Sequence, residues 1–319
     1  MLKRNRFLHI ACTALWIAIY VLARFSAAQE ELPLKDSLRR IHEGLERIRH
    51  EAYGNCYLEG TYSLGGNEET KRFRFWSRDN QFFRVDIADA SNVVVKRIIC
   101  RPDGYVILNS NNGALTIADF GTSEKGKESL FGLPFFCDAT RVLGVGPEVY
   151  FASYIDLEGF SPPPPTVKSE GRLNKRANGS IEFRHVTSSE QAASILSIVF
   201  RSIEVPCIES YTLTVNKDGE LHNERKGEFA YFEDSAIGVF PKVSRVTIRR
   251  YTGENAREET GPYCEISVVD PQPQPLGLFS LEAQGIDGRS VWRKRLLPLA
   301  IGLAVLGGFI AYRRMKRHG

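Results

Sequence analysis

The chain has 319 residues, of which 43% are hydrophobic and 25% charged, and a formal net charge of +4. This composition is that of a folded protein and excludes a disordered one. All of the basic excess lies at the ends: residues 1–28 carry four cations and residues 293–319 carry seven, neither with an acid, so the middle stands at −7. An acidic middle is a poor binder of a phosphate backbone, which argues against a nucleic-acid partner.

Lys3, Arg4 and Arg6 precede an apolar run of 17 residues, Phe7–Ala23, and small residues follow at Ser26-Ala27-Ala28. A cationic start, an apolar stretch and small residues make a secretory signal. The pattern predicts a signal peptide over 1–28, cut after Ala28. Left uncut, the run would anchor the chain, since its length lies near the ~20 residues of a spanning helix. In both cases the residues from 30 onward are exported. A second run of 17 uncharged residues, Leu296–Tyr312, lies between Arg293-Lys294-Arg295 and Arg313, Arg314, Lys316 and Arg317. It predicts a membrane anchor over 290–312 and a cytoplasmic basic tail over 313–319, with an extracytoplasmic β-rich domain at 29–289. The expected location is the cytoplasmic (inner) membrane, crossed once, with the bulk of the chain periplasmic.

Within the exported part, Leu34, Leu38, Ile41, Leu45 and Ile48 recur at helical spacing, so 34–52 reads as an amphipathic helix packed on a sheet. Strand patterns follow at Cys56–Leu64, at Lys71–Trp76 and at Phe83, Val85 and Ile87, the last two joined across Ser77–Asn80. Val93–Cys100, Tyr105–Asn109 and Leu115–Phe120 extend the series, with turns at Pro102-Asp103-Gly104 and Asn111-Asn112-Gly113. Connections this short require antiparallel pairing.

Leu130–Leu143 is apolar and reads as partly helical, and the prolines of Ser161–Pro165 mark a stiff loop within 161–170. Thr187-Ser188-Ser189-Glu190 has the form of a capping box ahead of Ala192, Ile195, Leu196, Val199 and Ile203, which predicts a second helix ending near Pro206. Strands resume at Tyr211–Val215, Glu228–Glu233, Val243–Tyr251 and Tyr263–Val269, with Thr252–Gly261 as a charged hairpin loop. Pro271–Pro275 closes the sheet, giving an α+β chain in the order helix, meander, helix, meander.

Few motifs carry chemistry. Gly121–Glu128 has the outline of a phosphate loop, but Glu128 stands where a Ser or Thr should hold magnesium, and a carboxylate there repels phosphate. His42, His50, His185 and His222 form neither an HExxH motif nor a clustered pattern with carboxylates, and no cysteine pair has ligand spacing, so no metal or cofactor is expected. Glu68-Glu69 and Glu258-Glu259 read as solvated surface, and no catalytic residue is assigned. Cys12 lies in the signal, leaving an odd five cysteines beyond it, read equally as disulfides or as small buried residues. Asn178-Gly179-Ser180 fits a glycosylation sequon. Aromatic density is high between Phe73 and Phe136, where rings are more often core than ligand lining.

The order of elements resembles the outer-membrane lipoprotein carrier (LolA/LolB-like) fold, also used by periplasmic sensors of envelope stress. The resemblance rests on the opening helix, the strand Cys56–Leu64, the Phe73–Ile87 hairpin, Arg101-Pro102-Asp103-Gly104-Tyr105, Val239-Phe240-Pro241-Lys242-Val243 and Leu278-Phe279-Ser280-Leu281. It implies a curved antiparallel half-barrel with helices on its concave face and a cavity for acyl chains, to which the sequence adds a C-terminal transmembrane helix. A spanning anchor and the proline-rich insert depart from the carrier pattern, so the shuttle role does not carry over. The expected function is a membrane-anchored, non-catalytic binding module for a lipid or an acylated protein. Phe73, Phe75, Phe83, Tyr105, Leu38, Ile41 and Leu45 are the candidate apolar lining. A protein-interaction or stress-sensor module of the envelope is the alternative, and a hydrolase with an unrecognised site the second.

Overall fold

A computed structural model describes residues 30–65, 69–111, 114–123, 125–126, 146–160, 166–189, 192–252 and 255–284. Both apolar end runs, Leu130–Leu143, Cys137 and the prolines of 161–165 lie outside these residues. Among the described residues, fourteen strands pair in the order β1-β8-β9-β10-β11-β12-β13-β14-β2-β3-β4-β5-β6-β7. They are β1 (Glu30–Glu31), β2 (Tyr57–Ser63), β3 (Lys71–Arg78), β4 (Phe82–Ala88), β5 (Val94–Arg101), β6 (Gly104–Asn111), β7 (Ala114–Gly121), β8 (Lys168–Lys175), β9 (Ile181–Ser188), β10 (Ala192–Phe200), β11 (Ile208–Lys217), β12 (Glu220–Tyr231), β13 (Pro241–Thr252) and β14 (Asn255–Asp270). Among the described residues are also α1 (Leu34–Arg47), continued by a π-helical turn over Ile48–Ala52, the single turn α2 (Glu148–Phe151), and short 3₁₀ turns at Leu276–Phe279 and Glu282–Gln284.

The expected fold class is corrected on several counts. In place of several helices covering a half-barrel, the described residues form a large antiparallel sheet with one helix longer than a turn. No described helix is long and apolar enough to cross a membrane. The second predicted helix is instead strand β10, which pairs with β9 in register from Phe200↔Ile181 to Ala193↔Ser188. Its apolar run fits both periods, but Leu196, Ile198 and Phe200 are all at most 1% exposed, which is the period-two solution. Of the predicted loop Thr252–Gly261, Thr252 and Asn255–Gly261 are strand, because the β13–β14 ladder continues to Thr252↔Asn255. Strands β8 and β9 went unpredicted because Lys168–Lys175 and much of Ile181–Ser188 are polar.

The chain divides into two compact units. The first takes the described residues within 1–52, 62–68 and 134–266. Its core joins Leu38, Ile41 and Leu45 of α1 to Phe151, Phe183, Leu196, Ile198, Phe200, Tyr211 and Phe229. These α1 residues recur at the spacing that places side chains on one face of a helix. Tyr211 faces Gly227 across β11 and β12, and a Cβ at Gly227 would fall 2.1 Å from the tyrosine ring. Cys207 is fully buried in this unit.

The second unit takes the described residues within 53–61, 69–133 and 267–319. Its meander runs from β2 to β7. Asp79 and Asn80, with φ of 54° and 51°, form the β3–β4 turn; both central residues of such a hairpin turn need positive φ, which Asn and Asp tolerate. Asp86 on β4 is 4% exposed and accepts paired hydrogen bonds from two guanidinium groups. Arg84 donates at 3.0 and 2.7 Å, and Arg97 on β5 at 2.7 and 2.6 Å. Arg84 also donates to the Leu278 carbonyl and lies 4.7 Å from the centre of the Trp76 ring. Cys56 is fully buried here beside Ser77.

Candidate functional site

The predicted lining residues fall into the two units. In the first, Leu38, Ile41 and Leu45 are all 0% exposed, and the aromatic and aliphatic side chains of the core pack with them. The helix starts after Pro33 without a side-chain cap, so its docking rests on that apolar face and on polar contacts along the opposite side and C-terminal end. Arg40 donates to Glu204 at 3.2 Å, and Arg47 donates to the Glu204 carbonyl at 2.8 Å.

A charged cluster lies where α1 meets α2. Glu148 is 1% exposed, and Arg49 of the π-helical turn approaches its Oε1 at 2.9 Å while reaching Glu46 Oε1 at 2.5 Å. His42 Nδ1 lies 3.8 Å from the same Glu148 oxygen. Burial pushes the Glu148 carboxyl up, but His42 and Arg49 outweigh it and hold it below the ordinary carboxylate range. The same carboxylate raises the His42 imidazole against the pull of burial and of Arg49. Glu148 folds back over Gly146, where a Cβ would stand 1.9 Å from Glu148 Oε2. His42 and Glu46, four residues apart on α1, offered a sequence signal for this grouping, but Glu148 joins them only through the fold.

His185 on β9, 3% exposed, sits among Tyr150, Tyr154 and Phe183. Its Nδ1 lies 2.7 Å from the Tyr154 hydroxyl. Burial lowers the imidazole to about 4 and pushes Tyr154 up to about 12. Between a neutral imidazole and a protonated phenol this is a single hydrogen bond, whose donor is set by which ring nitrogen carries the proton. On the other face of the same hairpin, Glu170, Arg172, Arg184 and Val186 line an open pocket of about 220 Å³. Arg172 and Arg184 are directly opposite in the β8–β9 ladder.

In the second unit, Phe73, Phe75, Phe83 and Tyr105 are each 1% exposed. Phe75 stacks near Phe83 at 6.2 Å, and Tyr105 donates to Asp119 Oδ2 at 2.7 Å. The outline of a phosphate loop has a packing explanation: Cβ atoms at Gly121 and Gly126 would fall 2.5 and 2.4 Å from Tyr105. Lys127 and Glu128 of that motif, and Phe131, Phe135 and Phe136, lie outside the described residues.

No protein-family model matches the chain, and no curated protein matches it in sequence. Among solved structures, it is similar to a LolA superfamily protein from Nitrosomonas europaea, at 11% identity and a TM-score of 0.36, over 76% of this chain and 96% of that one. It is also similar to MucB in its complex with MucA(peri), at 11% identity and a TM-score of 0.16, over 76% of this chain and 99% of that one. Likenesses at these scores carry no argument about fold or function.

Proposed function

We propose that the chain is an exported, non-catalytic binding module of the cell envelope, and that its first unit takes the acyl part of a lipid or an acylated protein beneath α1. The observation that carries this reading is α1 itself. Three of its apolar side chains are wholly withdrawn from solvent against a sheet face rich in aromatic and aliphatic residues. Displacing one uncapped helix would uncover a continuous apolar surface, which is what acyl-chain binding requires. The charged ends of the interface, at Glu204 and Glu148, would hold the helix in place when nothing is bound. Export follows from the N-terminal pattern and sets the compartment in which such a ligand is met.

Organic extracts of the full chain, purified from its native envelope and read by lipid mass spectrometry, test the proposal. Titration with a fluorescent hexadecanoate supplies a second readout. The expected result is a co-purifying lipid together with saturable probe binding that the extracted lipid displaces. Protein that carries no lipid and gives no saturable signal defeats the reading. A retained protein partner without lipid would favour the envelope-interaction alternative instead.

A further inference from the structure

We propose that His42, Glu46 and Glu148 form a binding site for one divalent transition-metal ion, with Zn²⁺ as its representative and Arg49 as the resident competitor. One ligand atom from each of the three residues lies within 4.8 Å of the other two. Glu148 is 1% exposed, and its Oε1 has no aligned hydrogen-bond donor; neither does the buried His42 Nδ1. Arg49 pairs with the Glu148 carboxylate, 2.9 Å from its Oε1, and so supplies the positive charge that a bound ion would replace. A buried carboxylate oxygen and a buried imidazole nitrogen that converge without aligned donors are placed to share a cation.

The local backbone supports the same arrangement. Gly146 leaves the space that the folded-back Glu148 carboxylate occupies, and any side chain there would evict it. His42 and Glu46, one turn apart on α1, present their donors from a rigid element. One imidazole and two carboxylates make a donor set suited to zinc and its first-row neighbours. Zinc holds its donors at about 2.0–2.2 Å, so neighbouring donors stand ~3.3 Å apart, and binding requires the three to close by about an ångström. The partly exposed Glu46 can supply most of that movement, since its side chain is 39% exposed. Arg49 now spans the two carboxylates that the ion would span, and binding requires it to swing out. The consequence of occupancy is mechanical: α1 becomes fastened to the 146–151 segment.

Chelator-treated full-length protein titrated with ZnCl₂ by calorimetry, with Co²⁺ absorption as a spectroscopic check, tests the proposal. One equivalent should bind and raise the melting temperature. His42→Ala and Glu46→Gln should each weaken binding by about tenfold or more with circular dichroism unchanged. Arg49→Gln should tighten it, because the competing guanidinium is gone. Absence of Zn²⁺ binding by the full chain overturns the proposal. So does an affinity indifferent to His42→Ala, which would place the ion elsewhere, or weaker binding in Arg49→Gln.

Discussion

At the scale of residues, two histidines bias stability in opposite directions with pH. His185 is held neutral by burial, its pKa lowered to about 4. The unfolded chain therefore takes up a proton near pH 6.5 that the folded chain refuses, and stability falls as pH drops from about 6.5 toward 4, by roughly 2–3 kcal/mol in all. His42, with its pKa raised by Glu148, contributes the opposite slope, so a comparison of variants is needed to isolate His185. Melting curves from pH 7 to 4.5 should show His185→Phe losing less stability on acidification than the wild type. Equal slopes would show that His185 is not protected from protonation. Asp86 acts in a lower window. Burial would raise its carboxyl, but Arg84 and Arg97 hold it below its usual value. Its contribution is present above about pH 4 and is lost as pH falls through the depressed value. Of these groups the sequence supplied the names and not the environments: neither the Tyr154 hydroxyl nor Arg97 is adjacent to its partner in the chain.

At the scale of elements, α1 is the clearest case in which pattern and structure coincide. Ile41 is 0% exposed on the helix face that meets the sheet, whereas the Arg39 side chain is 61% exposed. Ile41→Ala should cost about 2–5 kcal/mol and Arg39→Ala no more than ~0.5 kcal/mol, as read from urea unfolding. Comparable losses for both would contradict the docked face. The meander β2–β7 was legible for a similarly local reason. Alternation in Phe73, Phe75, Phe83, Val85 and Ile87 sets the faces, and turn residues such as Asp79-Asn80 and Asp103-Gly104 set the joints. The β9–β10 hairpin was not legible. Thr187–Glu190 has the letters of a helix cap, and Ile195, Leu196 and Val199 satisfy either period. What decides is pairing on both sides, with β9 and with β11, and that information is not local to the segment.

At the scale of the whole molecule, charge distribution and composition constrain the setting more than the chemistry. The acidic middle and the cationic flanks separate cleanly in the sequence, while the candidate ion site draws residues from positions more than a hundred apart. Helical spacing could suggest His42 with Glu46, but only the packing of 146–151 against α1 brings in Glu148. The division into two units, with segments of each interleaved along the chain, was likewise invisible to a reading that took the elements in order.

Each unit encloses a sulfur that can serve as its own clock. Cys56 in one and Cys207 in the other are free thiols, with burial pushing them up to about 12 and about 11. A thiol so protonated and enclosed reacts only when its surroundings open. Pulses of a maleimide, followed by peptide mass mapping of these two positions, should find both nearly unmodified in native buffer. At rising denaturant the two should become labelled together if the units melt as one, or in sequence if one loosens first. Fast native labelling at either position would mean that its enclosure is not maintained.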